Sequence, residues 1–196
     1  SRSRGNAVQA IDALDKANAI LKLQHASNPN DIKVLNNLGV NAYWVGQLHK
    51  DRNNLEAAAV AWQRYLQFAD QVQQLEPDKV DWWIEQSYAH NNLGSLAITR
   101  GTPELAVPEF AASVELKERA LRRTPDSKVL IAELADSYSW LGLARQSLGE
   151  LQLAEKKEME LVLKLRAQFP DEPIHRTWRL NNLAWFLCHG FVRLIL

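Results

Sequence analysis

The chain has 196 residues, 46% of them apolar and 23% charged, and its 23 basic residues balance 23 acidic ones to a formal net charge of zero. A nucleic acid needs a basic stripe to displace its counterions, and none is visible beyond Arg122-Arg123, which reads as a solvated helix end; the apolar content excludes an intrinsically disordered chain. Cys188 is the single cysteine, so no internal disulfide can form, and no uncharged apolar run approaches the roughly 20 residues that a membrane-spanning helix needs.

The opening Ser1-Arg2-Ser3-Arg4-Gly5 lacks the apolar core of a secretory signal, and the expectation is a soluble chain, cytoplasmic or periplasmic. Residues 6–26 predict a helix, since Ala10, Leu14, Ala17 and Leu21 recur at steps of three and four and share one face. Pro29 then opens a stretch that is said again from Pro77 and once more from Pro125. With Pro170, these prolines stand 48, 48 and 45 residues apart, a period expected of stacked helical repeats.

Within the first copy, 29–76, helices are expected over 31–48 and 55–75. Asn30 is placed to cap the first, and the polar run His49-Lys50-Asp51-Arg52-Asn53-Asn54 turns the chain. Ala58, Trp62, Tyr65, Leu66, Ala69 and Val72 form the inward stripe of the second. The copy at 77–124 predicts helices over 78–99 and 103–123. Pro103 suits a first helical turn, whereas Pro108, a turn further in, is expected to kink the helix. Trp83 follows the buried register, and Trp82 is left as an exposed handle. The third copy, 125–169, predicts helices over 126–148 and 151–168, with Gly149 ending the first. A first helix is expected again in 170–196, over 173–188. The segment 6–28 matches the second helix of a copy whose first helix is missing, and the last copy lacks its second. The natural protein is therefore expected to be longer.

Glycine inside a helix costs up to about 1 kcal/mol relative to alanine, so its recurrence needs a reason. Gly46, Gly94 and Gly142 each stand 17 residues after the proline that opens their copy and 12 before Ala58, Ala106 and Ala154. Setting a position without a side chain against a methyl lets two antiparallel helices approach closely. Trp62 or Phe110, four residues after the alanine, fills the wedge above.

These elements, Val45-Gly46 with Ala58 and Trp62, Leu93-Gly94 with Ala106 and Phe110, and Leu141-Gly142 with Ala154, resemble the tetratricopeptide repeat family over nearly the whole chain. The period here is longer than the family's, Glu158 stands in the aromatic slot of the third copy, and Ala184 stands in the glycine slot of the last. Long-helix copies with Trp-rich Pro-Asp openings and an Asn-Asn-Leu-Gly element are similar to repeats appended to bacterial serine/threonine kinases and winged-helix regulators. The resemblance implies an all-α, right-handed superhelical solenoid of antiparallel helix pairs, about eight helices in all.

It also implies that first helices line a concave groove. Carried onto this sequence, the groove positions are Tyr43 and Gln47; Tyr88, Asn91 and Ser95; Asp136 and Ser139; and Trp178, Asn181 and Trp185. Amides can pair with both the N–H and the C=O of an extended chain, and aromatic faces offer area at low entropic cost. The expected partner is a peptide or a protein segment. Lysine and arginine are absent from this set, which disfavours a carboxylate ligand. Two further readings stand beside it: self-association through ends that carry Trp178 and Trp185, and a ligand-sensing regulatory domain. No Gly-rich phosphate loop, nucleophile elbow or paired-histidine motif occurs, so neither an enzyme nor a cofactor is expected.

Overall fold

A computed structural model of the protein describes residues 2–149, with side chains from residue 12 onward. Among the described residues there are six helices and no strand: α1 (Arg2–Ser27), α2 (Ile32–Asp51), α3 (Leu55–Leu75), α4 (Val80–Thr99), α5 (Pro103–Arg123) and α6 (Lys128–Ser147). The helix expected over 151–168 and the whole segment 170–196 lie outside the described residues, and with them Ala154, Trp178, Asn181 and Trp185.

The 48-residue period holds to the residue in the backbone. Helices α2, α4 and α6 are 20 residues each, α3 and α5 are 21 each, and every one starts 48 positions after its counterpart. Left-handed backbone recurs at the same place in each copy: Asn53 at φ 59°, Gly101 at 72° and Gly149 at 81°. Those positions reverse the chain just after a first helix, and glycine or asparagine tolerates the conformation there. Connections this short force successive helices to lie antiparallel.

Helix ends differ from expectation in physically informative ways. Asp31, not Asn30, caps α2: its carboxylate accepts from the N–H groups of Lys33 and Val34 at 2.9 and 3.2 Å. A charged cap at the positive end of the helix dipole gains over a neutral one. α2 continues through His49, Lys50 and Asp51 and turns only at 52–54. α4 begins at Val80 and α6 at Lys128, with the Ser127 hydroxyl accepting from Leu130 N–H at 3.3 Å. α5 runs unbroken through Pro108, which is exposed, so the carbonyl of exposed Glu104 loses its helical donor on the wet side.

The glycine notches receive rings. A methyl placed on Gly46 would fall 2.3 Å from Trp62 Nε1, and one on Gly94 would fall 2.8 Å from the Phe110 ring. Alanines 58 and 106, fully buried, pack in the same clusters as those rings, but the nearest neighbour of each glycine is the aromatic four residues further on. The Trp62 indole N–H donates to the carbonyl of Tyr43 at 3.2 Å, which fixes the ring in its slot.

Two other expectations change, and one holds. In α1, Leu14 and Leu21 are half-buried as expected, but Ala17 is exposed and Asn18 and His25 complete the packed face. α2 is tied to that face by Asn41, whose side-chain amide donates to Leu14 O at 2.8 Å. Trp83 is buried, with its N–H on Pro77 O at 3.0 Å and Arg119 4.0 Å above its ring. Trp82 is no free handle: its N–H donates to Glu76 at 2.6 Å and Lys79 sits 4.6 Å over the ring, pinning it at the start of α4.

Candidate functional site

In each first helix, one stripe points into the pair and the opposite stripe does not. On α2 the buried stripe includes Leu35, Leu38, Ala42 and Gly46, while Val40 and Trp44, the latter 50% exposed, look the other way. The same positions one repeat on are Tyr88 and Asn92, and one further are Asp136 and Trp140. Side-chain bonds join these helices into a row. Lys50 Nζ reaches Ser95 Oγ at 3.3 Å between α2 and α4, and Tyr88 and Asn91 reach from α4 to α6.

Between α2 and α4 the row sinks into a depression of about 490 Å³. Val40 and Tyr43 come from α2, Tyr65 rises from α3 as the floor, and α4 supplies Glu85, Tyr88, Asn91 and Asn92. Tyr43 and Tyr65 meet edge to face, 5.8 Å between centroids. The Tyr65 hydroxyl donates to Glu85 Oε2 at 2.5 Å, and the Tyr88 hydroxyl donates to Glu133 Oε1 at 2.7 Å. Burial first, then these carboxylate bonds and the negative charges themselves, push both phenols well above the ordinary tyrosine range.

Behind Tyr88, towards α6, lies a buried polar knot. Lys117, only 2% exposed, donates to Ser137 Oγ at 2.9 Å and to Glu133 O at 3.3 Å, with Nζ 5.3 Å from the Tyr88 ring centroid. Ser137 also accepts from the Asn91 amide at 3.1 Å and lies 3.3 Å from Ser113 Oγ. Burial pulls the Lys117 ammonium below its ordinary value, and attraction to Glu133 and Asp136 opposes that pull.

Of the positions carried over from the sequence, Tyr43, Tyr88 and Asn91 come together at this depression. Gln47 donates to Asp51 one turn along α2, at 2.9 Å, and Ser95 receives Lys50 near the far end of the row. Asp136 and Ser139 belong to α6, one repeat away, where the Ser139 hydroxyl donates to Ala135 O at 3.2 Å. Residues missed by sequence reasoning are Tyr65, Glu85, Asn92, Trp44 and Trp140. Superposing the copies at 48 residues finds Trp44, Asn92 and Trp140 at one repeat position, next to the predicted Tyr43, Asn91 and Ser139.

Among the described residues, no group of three His, Cys, Asp or Glu side chains is placed to hold a metal ion. No helix there is long and apolar enough to cross a membrane. No protein-family model matches the chain, and no curated protein matches it.

Proposed function

We propose that this chain is a tetratricopeptide-like interaction module that holds a peptide, or a segment of a partner protein, along the row of α2, α4 and α6. It serves as a scaffold inside a larger bacterial regulatory protein and binds without catalysis or cofactor. The observation that carries this reading is the depression between α2 and α4, where Tyr43, Tyr88 and Asn91 converge around a tyrosine floor. A concave site of several hundred cubic ångströms, mostly apolar with a few convergent polar groups, is the general form of a ligand pocket. The strict 48-residue period supports the same reading, because stacked helix pairs present equivalent positions side by side for an extended ligand.

Selection of displayed peptides on the full chain tests it. Binders are expected, and the Val40→Arg variant, which pushes a long charged side chain into the depression from a 42% exposed position, should lose them while keeping its helical spectrum. Binders that ignore Val40→Arg would overturn the reading. A sedimenting mass that rises with concentration, with no selectable peptide, would instead favour self-association through exposed Trp44 and Trp140.

A further inference from the structure

The depression between α2 and α4 is short of positive charge. Glu85 accepts one hydrogen bond, from Tyr65, and none of the ion pairs among the described residues involves it. No lysine or arginine lines the depression, and the lysines placed on the row and in the knot beside it are occupied elsewhere. Lys50 is spent on Ser95 and the Trp62 ring, and Lys117 is buried on the α6 side of Tyr88, where the carboxylates it feels are Glu133 and Asp136. A carboxylate with no cationic partner beside an open depression invites one from outside.

The polar atoms around it are of the matching kind. Tyr65 and Tyr88 have each given their one hydroxyl proton to a carboxylate, so what remains on both oxygens is acceptor capacity. Asn91 pairs with Ser137 through both ends of its amide, at 3.1 Å from its nitrogen and 3.5 Å from its oxygen, and that oxygen keeps a second lone pair for a donor, as does the carbonyl of Asn92. Three tyrosines surround this acceptor-rich wall, and aromatic faces attract an ammonium or guanidinium through their quadrupoles. An anionic guest would meet Glu85 with nothing to offset it.

We infer that this depression recognises a basic side chain, lysine or arginine, on the peptide segment that the module binds. The inference rests on the interaction-module reading and names the chemistry of its partner. The negative field is already visible in the tyrosines: Glu85 contributes, after burial, to holding both phenols protonated.

The test uses the full chain, 15N-labelled, titrated with Ac-Leu-Lys-Leu-amide and with its uncharged norleucine counterpart, following backbone amide shifts. The lysine peptide should shift the signals of Tyr43, Glu85 and Tyr88 saturably, about tenfold more tightly than the norleucine peptide, and added salt should narrow the gap. Glu85→Gln, which keeps an acceptor for the Tyr65 hydroxyl, should remove most of the lysine preference and bring the two peptides' affinities together. If the two peptides bind wild type alike, the charge inference falls and the module reading stands. If neither shifts these signals, the charge inference also falls, and peptide selection against Val40→Arg decides the module reading separately. The comparison of peptides on wild type needs no variant, so a poorly folding Glu85→Gln would not spare the inference.

Discussion

The junction of α2 and α3 with α4 and the junction of α4 and α5 with α6 are built at identical repeat positions from different chemistry. In the first, Tyr65, Ala69 and Ala89 are all buried, and the tyrosine ring packs against the Ala89 methyl. In the second, 48 residues on, the same positions hold Ser113, Lys117 and Ser137. The ring has become a hydroxymethyl, and a methyl has become a four-carbon chain that reaches back into the space the ring would occupy. Each solution satisfies its polar atom on the next first helix: Tyr65 on Glu85, Lys117 on Ser137 and the carbonyl of Glu133, with Glu85 and Glu133 themselves one period apart. The repeat conserves volume and hydrogen-bond closure at each junction while exchanging which residue supplies them. It also leaves the first junction with a carboxylate that no cation faces, and the second with an ammonium enclosed.

The notches give the largest handle on this comparison. In the first pair, the Trp62 indole is anchored on Tyr43 O, so it cannot swing away from a methyl set 2.3 Å from it. Gly46→Ala should therefore lose about 2 kcal/mol net, overpacking outweighing the gain in helix propensity. Phe110 has no such anchor and stacks flat on exposed Trp140, 5.9 Å between centroids, so it can slide. Gly94→Ala should lose about 1 kcal/mol. Gly39 is the control: a methyl there meets Tyr65 at 3.4 Å, ordinary contact, and Gly39→Ala should gain about 0.5–1 kcal/mol from the backbone. Urea unfolding of the three variants gives the order, and a Gly46→Ala protein as stable as wild type would show that the ring is not wedged.

A smaller effect tests whether the two junctions are interchangeable. Ser113→Tyr alone overpacks a buried site, and Lys117→Ala alone empties one. Together they rebuild the first junction inside the second, with the new phenol in reach of Glu133. The double variant should be more stable than the sum of the singles by roughly 1–2 kcal/mol in a double-mutant cycle. Strict additivity would mean that ring and ammonium chain do not share space.

Much of this is legible in the sequence because a period repeats its errors and its successes alike. The prolines, the polar run at 49–54 and Gly149 place the turns, the apolar stripe places α3, and Pro103 marks the start of α5 to the residue. What escapes is whatever depends on direction within a turn of helix. Gly46 and Ala58 are on facing helices, but only the slant of Trp62 decides which residue enters the notch. Tyr65 reads as core from its spacing, and it is core, yet its hydroxyl end emerges in the depression. Lys117 is the hardest to foresee: it continues the apolar stripe of α5 from Phe110 and Val114, and a charge on such a stripe is enclosed only if the neighbouring repeat supplies acceptors. Those acceptors, Ser137 and the Glu133 carbonyl, lie 20 and 16 residues away on α6.

Lys117→Met makes the smallest and most specific break, keeping the chain volume and removing the charge. Replacing a buried ion by an apolar group of similar size is commonly neutral or stabilising, so the change at neutral pH should stay within about 1 kcal/mol, on the stabilising side. Its signature is in the pH dependence. Burial holds the folded-state pKa of Lys117 below the 10.5 of the unfolded chain, so between those two values the unfolded state binds more protons and wild-type stability rises with pH. Methionine carries no such term. The advantage of Lys117→Met over wild type should therefore shrink as pH climbs towards 10.5, and it should be largest below the folded value. Tyr65 and Tyr88, whose raised pKa values withdraw stability above pH 10.0, are common to both proteins and cancel in the difference. A difference that stays flat from neutral to alkaline pH would place the ammonium in water-like surroundings, and with it would go the account of how the second junction closes.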